Sequence, residues 1–200
     1  MFKIRASGAG KLMTKAKAKD AVLSQTAISF IEEYCIESIY GIRQEINSKY
    51  LSKGLELEDE AIDKAIEWLD LPFALKNTER FTNEYATGEP DLILPDEIID
   101  IKCSWSAFTF PLFAKELENK DYYAQLQVYM WLTGKRKARV VYVLLNTPEH
   151  LTYEPQHNYD HLDKKYRIKA FSVDYDQSFI DELIKKVEAA RLLANEFLNS

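Results

Sequence analysis

The stretch GEPDLILPDEIIDIKCSW, residues 88–105, decides how this chain is read. EIIDIKC has the composition of a buried strand, PDLIL reads as the strand before it, and Pro95-Asp96 as the turn between them. Successive side chains of a strand point to opposite faces, so Asp100 and Lys102 share one face while Ile99 and Ile101 share the other. Asp91 opens the first strand, and a hairpin through Pro95-Asp96 brings its carboxylate beside Asp100. Two carboxylates and an ammonium then meet where valine or isoleucine would fold better. Taken alone, Asp-x-Lys on a strand is weak evidence, and a surface ion pair on an edge strand is the commoner explanation.

The helix expected before these strands, from about Tyr50 to Leu69, adds a second anomaly. At about 100° per residue, Ala61, Ile62, Ala65, Ile66, Trp68 and Leu69 form one stripe, with Glu56, Glu60, Asp63 and Glu67 opposite. Glu58 falls within the apolar stripe. A carboxylate facing inward needs a cation, and Lys102 or an arginine is the natural partner. A third anomaly is DYYAQLQVYMWLTG, a helix apolar on nearly every side that still carries Gln125 and Gln127. Gln125 lies one turn from Tyr129 on the same face. It reads either as an amide holding a water or phosphate oxygen, or as a structural amide fixing a loop.

Around these motifs the chain alternates helical and strand-like segments. A helix is expected from Asp20 to about Tyr40 before Gly41. ERFTNEYAT, PDLIL and EIIDIKC form a meander of about three strands. Helical sequence then runs from about Phe110 to Gly134, broken near Asn119. ARVVYVLLN and KYRIKAFSVDY are later strands, joined by a turn-rich connection, and Gln177 to about Leu198 closes the chain as an amphipathic helix. The fold class is α/β (α+β), a central mixed sheet flanked by helices. His150, His157 and His161 lie in the turn-rich connection and read as solvated loop histidines.

Two hundred residues with 46% hydrophobic content suit a single domain, 1–200, with a sizeable core. No apolar run is long enough to span a membrane and no signal peptide is evident, so the expected address is the cytoplasm. Cys35 and Cys103, outside any C-x-x-C spacing, exclude a four-cysteine iron–sulfur or zinc site built by this chain alone and read as reduced thiols. The net charge of −6 conceals an asymmetry: residues 1–19 hold six basic residues and no acid, leaving 20 basic against 32 acidic residues in the remainder. That stretch reads as a basic N-terminal arm, either solvated and partly disordered or in contact with phosphates.

KGLELEDEA, with Glu58 four residues after Gly54, then EPD, IDIKC and YYAQLQVYMWLTG, all preceded by IRASGAGKLM, together resemble the PD-(D/E)xK nuclease superfamily. The order and spacing resemble its lambda exonuclease / YqaJ-like viral recombinase branch, over about residues 4–146. The resemblance implies a restriction-endonuclease-like core and a deoxyribonuclease of phage recombination, acting 5′→3′ on double-stranded DNA ends to leave 3′ single strands. It implies that Glu58, Asp91, Asp100 and the Ile101 carbonyl hold one or two Mg²⁺ ions, for which Mn²⁺ substitutes, with Lys102 as a cation and Gln125 holding it or the attacking water. It implies that Ser7, with Arg5, Lys11 and Lys15, binds a terminal 5′-phosphate, although Glu89 stands before Pro90-Asp91 where a small polar residue would suit that phosphate better. A trimeric ring around DNA, in a bacterial host's cytoplasm, and a single-strand annealing partner are also implied. The alternatives are an endonuclease or nickase of the same superfamily, and a DNA-end-binding accessory protein without turnover.

Overall fold

The computed structural model describes residues 1–43, 48–71, 73–152 and 157–199. In chain order the elements are β1 (Ile4–Arg5), α1 (Ala9–Leu12), α2 (Gln25–Tyr40), α3 (Lys49–Glu56), α4 (Glu58–Trp68), β2 (Phe81–Thr82), β3 (Ala86–Gly88), β4 (Leu92–Ile93), β5 (Ile98–Cys103), α5 (Lys120–Thr133), β6 (Lys137–Val143), β7 (Ile168–Asp174) and α6 (Gln177–Asn199). The strands form two sheets, ordered β1-β3-β2 and β4-β5-β6-β7. The expected meander is therefore divided. β2 and β3 pair antiparallel in the small sheet, with β1 parallel to β3, while β4 turns back onto β5 in the large one. β5 and β6 run parallel, which requires the crossover that α5 supplies, and β7 returns antiparallel to β6.

Alternation along β5 sorts the two cores. Ile98 joins Val140, Leu126, Val128 and Met130 on the α5 side, together with residues of α1, α2 and α6. Ile99 joins Ala61, Ile62, Ala65, Val141 and Val143 on the α4 side, with Ile101 and Cys103 packed against that cluster. The large sheet is thus a mixed layer between helices, as the pattern predicts. Asp100 and Lys102 face the α5 side.

Several boundaries differ from the sequence expectation for local reasons. The first long helix starts at Gln25 rather than Asp20, because the Ser24 hydroxyl accepts the Ala27 N–H at 3.0 Å and caps the helix there. The helix expected from Tyr50 to Leu69 breaks at Leu57, so Glu58 begins α4 instead of lying mid-helix. Asn119 is the N-cap of α5, its side chain accepting the N–H of Asp121 and Tyr122, and the residues before it form turns. The N-terminus is no loose arm through residue 12: Phe2, Ile4, Ala6, Ala9 and Leu12 are buried while Lys3, Arg5, Ser7 and Lys11 stay exposed. Part of the turn-rich connection, residues 153–156, lies outside the described residues. No described helix is long and apolar enough to cross a membrane.

Candidate active site

β4 and β5 bring Asp91 and Asp100 together. Leu92 pairs with Ile99 in the antiparallel register, and the Ile101 N–H donates to Asp91 Oδ2 at 2.5 Å. Asp100 is 2% exposed, on a strand flanked by β4 and β6, so an edge-strand surface ion pair does not describe it. Lys102 Nζ stands 2.7 Å from Asp100 Oδ2. The approach lacks hydrogen-bond geometry, and among the described residues that buried oxygen has no hydrogen-bond partner.

Asp100 is buried and Asp91 half-buried, and the charge of Asp100 acts on the Asp91 carboxyl. Burial first, and then the Asp100 charge, push the Asp91 carboxyl up to about 7, against the Ile101 N–H and Lys102, which favour its charged form. Burial also opposes the Lys102 ammonium, but Asp100, and behind it Asp91, outweigh burial and hold the lysine above its ordinary value. The ammonium lies 4.8 Å from the centre of the Tyr122 ring, a cation–π contact that keeps it pointed into the site.

These groups line a cleft of about 330 Å³ together with Glu58, Ile101, Gln125 and Tyr129. Gln125 Nε2 donates to the Tyr129 hydroxyl at 2.9 Å, the one-turn contact expected from the sequence. Gln127 takes the structural role: it donates to the Asp174 carbonyl at 2.8 Å and accepts the Asp176 N–H at 2.8 Å, pinning the end of β7. Glu58 reaches the cleft but is exposed, and its cation is Lys76 at 2.7 Å, neither Lys102 nor an arginine. Among the described residues no three Asp, Glu, His or Cys side chains stand close enough together to hold a metal ion as they are.

The proposed phosphate-binding residues lie apart from the carboxylates. Arg5, Ser7 and Lys11 line a second cavity of about 340 Å³ with Phe30, Tyr34 and Arg43, and Lys15 lines neither. The Tyr129 ring, which lines the cleft, packs against Gly88, and Gly88 lies against Ala6. Glu89, which would repel a phosphate, is paired with Arg80 at 2.8 Å. His157 is buried rather than solvated, bonded through Nδ1 to the Thr147 hydroxyl at 2.9 Å and packed on Trp105.

No family model and no curated protein matches the chain. Solved structures do. A phage-related exonuclease from Haemophilus somnus 129PT superposes with a TM-score of 0.89 at 30% sequence identity, spanning 99% of this chain and 96% of that one. The chain belongs to the phage-related exonuclease family. An alkaline exonuclease from Laribacter hongkongensis, LHK-Exo, shares the fold with a TM-score of 0.70 at 22% identity, over 98% of this chain and 89% of that one. The same enzyme in complex with dAMP matches with a TM-score of 0.69 at 21% identity. These likenesses bear out the resemblance to the lambda exonuclease / YqaJ-like branch and the mixed core expected for it.

In and around this cleft, sequence reasoning missed three kinds of residue. Tyr50 and Tyr122 line the cleft, yet aromatic residues at core spacing carry no mark of a site. Lys76 sits in a polar stretch where nothing singles it out, and only the structure joins it to Glu58. Lys53 is fully buried, its ammonium donating to the carbonyls of Ser104, Trp105 and Leu145 and to the Thr147 hydroxyl at 2.7–2.9 Å. A lysine three residues before the end of an amphipathic helix gives no such signal.

Proposed function

We propose that the chain is a divalent-metal-dependent exodeoxyribonuclease that degrades linear double-stranded DNA 5′→3′ and leaves 3′ single strands for phage-type recombination. The observation that carries this reading is the pairing of half-buried Asp91 with buried Asp100 beside Lys102, in the fold of a phage-related exonuclease. Hard carboxylate oxygens suit Mg²⁺ or Mn²⁺, and the buried Asp100 Oδ2, which faces Lys102 but accepts no hydrogen bond, together with the raised Asp91 carboxyl describe charge that a dication would balance. Asp91, Asp100 and the Ile101 carbonyl would hold the cation, with Glu58 at the cleft edge as a further ligand. Bound there, it supplies Lewis-acid activation of water and of the scissile phosphate.

The chain's own groups supply the rest. Water attacks phosphorus and the O3′ of the departing nucleotide leaves with a proton, giving a 5′-mononucleotide and a new 5′-phosphate end. Lys102, kept protonated by Asp100 and Asp91, is suited to orient the water and to balance negative charge gathering on the phosphate, rather than to act as base. Gln125, steadied by the Tyr129 hydroxyl, presents its amide to the same water or to Lys102. Arg5, Ser7 and Lys11, which line the second cavity, would hold the terminal 5′-phosphate, with Lys15 as a further cation of the N-terminal segment. The reading includes a trimeric ring around the DNA and a single-strand annealing protein as partner. LHK-Exo has been seen with dAMP, a ligand of the product class this cleavage would release.

The test is incubation of 5′- and 3′-end-labelled linear DNA and closed circular DNA with Mg²⁺, with native mass measurement of the same sample. Mononucleotide release from 5′ ends of linear DNA by a trimer is expected. Cutting of closed circles would favour the endonuclease, and binding without products the accessory protein.

A further inference from the structure

Among the described residues Lys76 is the one cation paired with Glu58, and it is held there from both sides. Its backbone forms an antiparallel bridge with Leu92, and the next residue, Asn77, donates its N–H to the Asp91 carbonyl at 2.7 Å. The Asn77 side chain also donates to the Pro90 carbonyl at 2.9 Å and to the Glu79 carbonyl at 2.8 Å. The segment carrying Lys76 is thus stitched to the backbone of the very strand that presents Asp91. From this anchor Nζ reaches Glu58 Oε1 at 2.7 Å and Asp59 Oδ1 at 2.7 Å. Both carboxylates belong to the first turn of α4, where the helix dipole favours negative charge.

We infer that Lys76 is a positioning residue that competes with the active-site divalent cation for Glu58 and so sets how tightly that cation is held. This rests on the metal-dependent reading above. An ammonium and a dication on Glu58 Oε1 would repel each other across a few ångströms, so each weakens the other's hold on that oxygen. Asp59 makes the exchange reversible: when Glu58 turns towards Asp91 and Asp100, Lys76 keeps a carboxylate partner and is not left unpaired. The pair thereby explains why Glu58 lines the cleft without closing a three-carboxylate cluster.

The test is titration calorimetry of the intact protein with Mn²⁺, without DNA, on the wild type, Lys76→Met, Glu58→Gln and the double variant. An exposed ion pair of this kind is weak, so Lys76→Met is expected to tighten Mn²⁺ binding by about three- to fivefold. Structural damage would loosen the site instead, which makes the sign of the change diagnostic. Because Lys76 acts through Glu58, the tightening is expected to vanish in the Glu58→Gln background. Unchanged or weakened binding in Lys76→Met, or equal tightening with and without Glu58, would overturn the inference while leaving the metal site standing. Binding absent from the wild type, or indifferent to Asp91→Asn and Asp100→Asn, would instead overturn the metal-dependent reading on which the inference depends.

Discussion

Asp91 Oδ2 accepts the backbone N–H of Ile101 at 2.5 Å, so the first acid of the cleft is fastened to the strand that carries the second. The contact brings Asp91 close enough to Asp100 for their charges to interfere, and burial with that interference raises the Asp91 carboxyl to about 7. An unfolded aspartate titrates near 3.8, so between roughly pH 4 and pH 7 the folded chain holds a proton that the unfolded chain has lost. Stability of the cation-free protein therefore falls as pH rises through that window and levels off above it. In the presence of chelator, Asp91→Asn should gain on the wild type from pH 4 to pH 7 and keep a constant advantage beyond. Its amide oxygen can still accept the Ile101 N–H. Urea denaturation of both proteins at several pH values measures the difference, and an advantage that shrinks with pH would contradict the coupling.

Lys102 is held protonated, and its place beside Asp100 makes it an electrostatic rather than a packing residue. Lys102→Ala is expected to lower DNA cleavage by about 100-fold or more, the loss found when a well-placed charge-stabilising group is removed. DNA binding in Ca²⁺ and the far-ultraviolet dichroism should stay close to wild type. Nuclease activity equal to wild type would remove Lys102 from the site.

Part of this architecture is legible in the sequence because period and polarity conflict there. Asp100 and Lys102 interrupt the outline of a buried strand, and the alternation of β5 sends them to the α5 face as the period of two requires. Gln125 and Gln127 stand out in an apolar helix, and both prove bonded. Glu58 illustrates where such reasoning stops. Its wheel position is right, but the break at Leu57 turns it out to the cleft edge, where a lysine 18 residues away takes it. A helical wheel assumes a continuous helix and contains no partner from outside it. Pairing across sheets is equally silent: nothing local in ERFTNEYAT says that β3 joins the N-terminal strand rather than β4. The N-terminal lysines look like an arm because charge is conspicuous, while the alternate residues Phe2, Ile4 and Ala6 that bury the segment are not.

Gly88 is required for space rather than for backbone freedom. A Cβ there would lie 2.7 Å from Tyr129 Cε1, closer than such atoms approach, and a tight 3.1 Å from the Ala6 Cβ. Gly88→Ala should cost about 1–3 kcal/mol by overpacking. It should also lower activity, because the ring that must move carries the hydroxyl that steadies Gln125. Chemical denaturation and turnover measured on the same preparation test both effects, and a variant unchanged in stability would show that Tyr129 is free to shift.

Lys53 fastens α3, one wall of the cleft, across the ends of β5 and β6 through four oxygen acceptors. Lys53→Met keeps the side-chain length but removes the ammonium from four acceptors, of which the Trp105 carbonyl still receives the Thr147 hydroxyl. Relief from burying a charge offsets part of that loss, so a net destabilisation of about 2–4 kcal/mol is expected. Its pH dependence carries the signature. Burial pushes the Lys53 ammonium down to about 8, whereas an unfolded lysine titrates at 10.5. Between pH 8 and 10.5 the unfolded wild type therefore binds a proton that the folded protein has released, and folding gains stability as pH rises through that window. Lys53→Met has no such group, so the gap between wild type and variant should widen from pH 8 towards pH 10.5 and stay constant below pH 8. A gap that narrows over the same interval would show that the four oxygens favour the charged ammonium strongly enough to outweigh its burial.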